Sequence, residues 1–114
     1  MTEADRRIDV PYGSLDLLVL KTLEGLGAMH GWGIARRIEQ VSGSALRLGQ
    51  GTLYPALVRL EQDGLIRSKW GTSENGRRAR FYSLTARGAR RLPEQIDEWV
   101  RAVDLVASAL GVSR

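Results

Sequence analysis

Gln50-Gly51-Thr52-Leu53-Tyr54-Pro55-Ala56-Leu57-Val58-Arg59-Leu60-Glu61-Gln62-Asp63-Gly64-Leu65-Ile66 reads as a helix with a start, one apolar stripe and a stop. Leu53, Leu57 and Leu60 stand at i, i+4 and i+7, a narrow face suited to docking on a core. Pro55 is tolerated early in a helix, where its missing N–H costs least, so the spacing predicts a start near Gly51 or Thr52. Gly64 supplies the left-handed residue expected just past the end. The face opposite the leucines carries Thr52, Tyr54, Arg59 and Gln62. A short, polar, donor-rich helical face of this kind is what a DNA major groove accepts.

Working outward, the chain around this helix is small and carries no cysteine. Its 114 residues, 43% hydrophobic and 26% charged, suit one globular domain in a reducing compartment and exclude disulfides and cysteine-based zinc sites. There is no apolar run of about 18 residues, and Met1 to Asp9 is charged without an apolar core, so neither a membrane span nor a secretory signal is expected. The expected location is cytoplasmic. From Arg67 to Arg91 eight cations face a single acid, Glu74, in a chain of net charge +4, which leaves a net −3 elsewhere. A cationic patch on a near-neutral body is the footprint of a polyanion binder.

Residues 1–10 lack periodicity and read as a loose arm. Ser14 is the expected cap of a helix from Leu15 that Gly25 or Gly27 closes. That helix is apolar nearly all round, Leu17 included, and so calls for two partners, the core and a second subunit. His30-Gly31-Trp32-Gly33 reads as a turn into a second helix, roughly residues 33–41, with Ile34, Ile38 and Val41 at helical spacing. His30 stands without a second histidine or any cysteine, which favours a turn or capping role over catalysis; no metal and no cofactor are expected. Leu46-Arg47-Leu48 suffices for one minimal strand. Ile66 to Trp70 alternates as a half-buried strand, 71–76 is turn-rich, and Arg77 to Leu84 returns as a second strand with Tyr82 and Leu84 inward. The face of Phe81 is left open.

Thr85 is the expected cap of a last helix that runs towards Leu110 and stops at Gly111. Leu92, Ile96, Trp99, Val103, Val106 and Leu110 are separated alternately by four and three residues, the heptad pattern by which helices pair. The competing reading folds this stripe onto its own domain. Pro93 predicts a kink or a restart near Leu92.

The predicted order is helix, helix, short strand, helix and hairpin, that of a winged helix-turn-helix. The fold class expected is mainly α with a small β-hairpin wing, divided into an arm (1–10), a DNA-binding domain (11–84) and a C-terminal dimerisation helix and tail (85–114). Gly51-Thr52-Leu53-Tyr54-Pro55-Ala56-Leu57, with Arg59-Leu60-Glu61 and Gly64-Leu65-Ile66, resembles the recognition-helix signature of PadR-type transcriptional regulators. Met29-His30-Gly31-Trp32-Gly33-Ile34 and residues 76–88 are similar to that family's second-helix entry and wing. The single last helix is similar to the smaller PadR subfamily. The resemblance implies a homodimer that binds an operator and usually represses. An enzyme is not expected, because the sequence offers no acid/base pair, nucleophile with a base, phosphate-binding glycine loop or metal set.

On this reading Gln50, Thr52 and Tyr54 meet bases or flanking phosphates, Arg59 a phosphate, and Arg77, Arg78 and Arg80 grip the adjacent backbone or enter the minor groove. Leu17, Leu92, Ile96, Trp99, Val103, Val106 and Leu110 form the dimer interface. Relatives by this resemblance include regulators that respond to phenolic acids or flat hydrophobic drugs, so Trp99 either lines an effector pocket or simply fills the dimer core. A winged-helix protein-interaction module without DNA is the alternative function.

Overall fold

The computed structural model describes residues 7–11 and 13–112; residues 1–6 of the expected arm and 113–114 of the tail lie outside the described residues. The elements in order are β1 (Ile8–Asp9), α1 (Leu15–Leu26), β2 (Met29–His30), α2 (Gly31–Val41), β3 (Leu46–Arg47), α3 (Gln50–Gln62), β4 (Ile66–Thr72), β5 (Arg78–Leu84) and α4 (Ala86–Ala109). One core joins them. Leu15, Val19, Leu20 and Leu23 of α1, Ile34, Ala35 and Ile38 of α2, and Leu53, Ala56, Leu57 and Leu60 of α3 are buried together with Leu65, Ile66, Tyr82 and Leu92. Each of the three α3 leucines contributes roughly 2 kcal/mol by leaving water, which fixes the orientation of that helix.

The end of α3 is set by its own sequence. Gly64, at φ +75°, lets its N–H reach the Glu61 carbonyl at 3.0 Å and the Leu65 N–H reach Leu60 at 3.0 Å, so two terminal carbonyls are satisfied. Its start is Gln50, slightly ahead of the expected position, with Gly49 as the cap residue. Pro55 therefore sits in the second turn, and the carbonyl that would have bonded its N–H belongs to Gly51, which is exposed and open to water. Before α3, Ser42 Oγ accepts from Leu46 N–H at 3.0 Å and Glu39 Oε2 accepts from Leu48 N–H at 3.0 Å, tying the approach to α2.

His30 caps α2, its Nδ1 accepting from Gly33 N–H at 3.0 Å, and Thr85 caps α4 in the same way from Gly88 N–H at 3.0 Å. Several expectations are corrected. Ser14 does not cap α1 with its side chain, because its hydroxyl donates to the Pro11 carbonyl at 2.7 Å instead. Of the two glycines expected to close that helix it is Gly27 that does so, at positive φ. Ile8–Asp9 is not loose: it forms a parallel bridge with Leu46–Arg47, and Asp9 accepts from Arg47 Nε at 3.1 Å. Met29–His30 is a strand on the outer side of β5, so the hairpin becomes a three-stranded sheet in the order β2-β5-β4.

The last helix also departs from expectation. It runs unbroken through Pro93, with no restart near Leu92; the carbonyl deprived of its partner is that of Ala89, an exposed residue that water can serve. Leu92 is 1% exposed and packs in the core of its own chain, so it is withdrawn from the dimer seam. Only Gly88 and Leu92 of α4 are buried, and Ile96 is the last of its side chains to pack against the core. Beyond Ile96, half-buried Trp99 still lies beside Gly13 and Leu17, and only towards the end of the helix are the apolar side chains of Val106 and Leu110 largely exposed.

Candidate nucleic-acid interface

The first turn of α3, the first turn of α2 and the hairpin β4–β5 enclose an open cleft of about 810 Å³. Gln50 and Tyr54 line it from α3, and Arg77, Arg78 and Arg80 from the hairpin, so five of the seven candidate residues meet in one place. The hairpin tip is shaped by Gly76 at φ +74° and by the Ser73 N–H, which donates to the Arg77 carbonyl at 2.8 Å. At the helix end, the N–H groups of Gln50 and Gly51 precede the first intrahelical acceptor and add partial positive charge.

The other two candidates lie apart. Thr52 and Arg59 line a second hollow, of about 450 Å³, with Pro11, Gly13, Leu15, Asp16 and Pro55. Arg59 Nη2 is 2.6 Å from Asp16 Oδ1, an ion pair across 43 residues that ties α3 to α1 and occupies the guanidinium expected to serve a phosphate. Arg67 and Lys69 line a third hollow with Phe81 and Ser83. Arg91 donates to Glu94 at 2.7 Å and to Glu98 at 3.3 Å; these contacts, the Glu94 bond foremost, raise its pKa and fasten its charge to α4.

Two tryptophans complete the cleft. Trp70 is exposed, and the guanidinium carbons of Arg78 and Arg80 stand 4.5 and 5.3 Å from its ring centroid. Arg80 is held further by a relay: its Nε donates to Ser68 Oγ at 2.8 Å, and that hydroxyl donates to Glu61 of α3 at 2.8 Å. Trp32, also exposed, carries Arg36 at 4.8 Å on the α2 side. The alternation of β4 groups Trp70 with buried Ile66, but by its fifth residue the strand has run past the core. The signal for its role is the pairing of Trp70 with Arg80, a register that the sequence does not specify. Burial, and after it the neighbouring Tyr54, push the Tyr82 phenol above its ordinary pKa, so it remains neutral beneath this surface.

A helix presented beside a basic hairpin, above a core of three helices, defines a winged helix-turn-helix protein of the kind that regulates transcription through DNA. The chain belongs to the PadR-like family of transcriptional regulators, whose sequence model matches residues 19–94. A PadR family transcription regulator of Clostridium difficile is 31% identical, with 85% of this chain and 97% of that one covered at a TM-score of 0.67. A transcriptional regulator of Clostridium thermocellum is 27% identical over 84% and 89% of the two chains, at a TM-score of 0.73. Among curated proteins, a 37.1 kDa protein of a Streptomyces fradiae transposon is 42% identical over 75% of this chain, which spans 23% of that protein's length. Membership of this family makes the chain a transcriptional regulator, not an enzyme. Among the described residues, no helix is long and apolar enough to cross a membrane.

Proposed function

We propose that the protein is a cytoplasmic homodimeric repressor that reads a pseudo-palindromic operator with α3 and holds the adjacent backbone with the β4–β5 wing. The observation that carries this reading is the cleft shared by Gln50, Tyr54, Arg77, Arg78 and Arg80. In it Gln50 and Tyr54, with Thr52 on the flank, supply sequence preference, and the arginines supply affinity. Residues 11–84 form the reading unit and 85–114 the pairing helix with its tail. The exposed side chains of Val106 and Leu110, continued by half-buried Ile96, Trp99 and Val103 and by Leu17 of α1, offer a second copy an apolar stripe. No observation favours the protein-interaction reading.

An effector at Trp99 is the finer part of the proposal. Trp99 shares a hollow of about 280 Å³ with Gly13, Asp16, Leu17, Gln95, Glu98 and Ala102, and Gln95 Oε1 is buried without a hydrogen-bond partner. A planar aromatic ligand there regulates DNA binding only if it favours one spacing of the reading heads over another. In a Trp32→Phe, Trp70→Phe background the emission of Trp99 reports such binding. Quenching should track loss of operator affinity and vanish in Trp99→Ala; a broad panel of planar compounds that moves neither signal reduces Trp99 to packing.

Selecting bound duplexes from a random pool should return an inverted repeat. Against the selected duplex, Arg77→Ala with Arg78→Ala should weaken binding to all sequences and lower the slope of log affinity against log salt by about 2 per protomer, since each lost phosphate contact removes about 0.9. Thr52→Ala or Tyr54→Ala should leave that slope intact and broaden the selected sequence. A full slope in the wing double variant removes Arg77 and Arg78 from the phosphate contacts.

A further inference from the structure

The outward face of α3 is less polar than its candidate contacts suggest. Gly51, Pro55, Val58 and Gln62 follow one another at spacings of four, three and four, which places them on one line of the helix surface. All four are exposed, and the line runs opposite buried Leu53, Leu57 and Leu60. Gln50 and Tyr54 flank it on the wing side, Thr52 and Arg59 on the side of α1. The middle of the face thus carries no hydrogen-bonding side chain before Gln62, and Val58 stands 53% exposed at its centre.

Gly51 is a second, independent oddity. A Cβ there would meet nothing within 4 Å, and its φ lies outside the left-handed region, so neither packing nor backbone requires glycine. Glycine is the poorest helix former after proline. A glycine that weakens its own helix and is not needed inside the molecule suits a position where something outside approaches too closely for a methyl group.

We propose that Gly51, Pro55 and Val58 form the line along which the helix meets the major-groove floor, and that Val58 packs on the C5-methyl group of a thymine. This rests on the DNA-reading function above and deepens it by naming a base. A valine pressed on the donors and acceptors of the other base edges would strip them of water and return nothing. Thymine presents the one apolar group that the major groove offers. Gly51, two turns earlier, lets the backbone come near enough for this contact to form.

The test uses the full chain and the duplex recovered by selection, in which each thymine is replaced singly by deoxyuridine, a change that removes only the methyl group. At one position in each half-site the wild type should lose about fourfold in affinity, the worth of one buried methyl-sized group. Val58→Ala, whose side chain stops short, should bind thymine and deoxyuridine there within twofold. Gly51→Ala should melt higher than the wild type yet bind the duplex at least tenfold more weakly. Indifference of the wild type to every methyl, an equal loss in Val58→Ala, or full binding by Gly51→Ala overturns the inference while the regulator reading stands. Failure of the wild type to retain any duplex at low salt overturns both.

Discussion

Gly88→Ala should be among the most damaging single substitutions in this chain, lowering stability by on the order of 3 kcal/mol. A Cβ at Gly88 would overlap the carbonyl oxygen of Leu65 and stand 2.8 Å from Leu84 Cδ1. The first obstacle is backbone, already fixed by the Thr85 N–H that donates to it at 3.1 Å, so it cannot swing aside as the tip of a side chain would. Relief requires α4 to slide away from the turn after α3, breaking the Thr85 cap and unseating Leu92. In a domain of this size the melting temperature should fall by roughly 15 °C. Gly51→Ala, the same chemical change in open space, should raise it. A Gly88→Ala protein that melts with the wild type would mean that α4 docks on the body in another way.

Val106→Asp should have the larger effect on function and little on the folded protomer. Val106 is 59% exposed, so a carboxylate there stays in water while the chain is alone. Pairing two copies through α4 would bury that carboxylate against apolar groups, a cost of several kcal/mol per ion. Sedimentation should show a monomer with an unchanged helical spectrum, and operator affinity should fall by 100-fold or more as the second half-site ceases to be an intramolecular contact. Leu92→Ala is the contrasting variant: its side chain belongs to the core, so it should lower stability by about 2–5 kcal/mol and spare pairing in the molecules that fold. A Val106→Asp protein that remains dimeric would place the interface on α1 and the arm.

What could be read in the sequence was whatever one element decides by itself. The leucine stripe of α3, its glycine stop and the caps at His30 and Thr85 follow from spacing and from side chains that bond their own backbone. The two-residue strands Ile8–Asp9 and Met29–His30 did not show, because neither is long enough to alternate and each exists only through a distant partner. The ion pair of Arg59 could not be read in the sequence because its carboxylate, Asp16, lies on another helix. Leu92 was misassigned for a related reason: one heptad stripe serves the chain's own core near its start and solvent near its end, and the pattern does not mark where the body stops. Of the cleft, Gln50, Tyr54 and the arginines after the turn were named from their order along the chain and from the family resemblance, whereas the Trp70 platform needed the register of β4 against β5.

The joint at Thr85 has a mechanical consequence. Thr85 Oγ1 donates to the Gly64 carbonyl at 2.7 Å, and Gly88 lies hard against Leu65, so the end of the reading helix and the start of α4 move as one piece. With 24 residues α4 is an arm about 36 Å long, clamped to the head at one end and, in the proposed dimer, gripped by a second copy towards the other. A rocking of about 5° at the far grip sweeps the head through about 3 Å, close to the 3.4 Å rise of one base pair. In that dimer the distance between half-sites that the protein tolerates would be governed by side chains such as Leu110, far along α4 from the wing, and a change there would retune the operator by a base pair while every base contact stayed as it was.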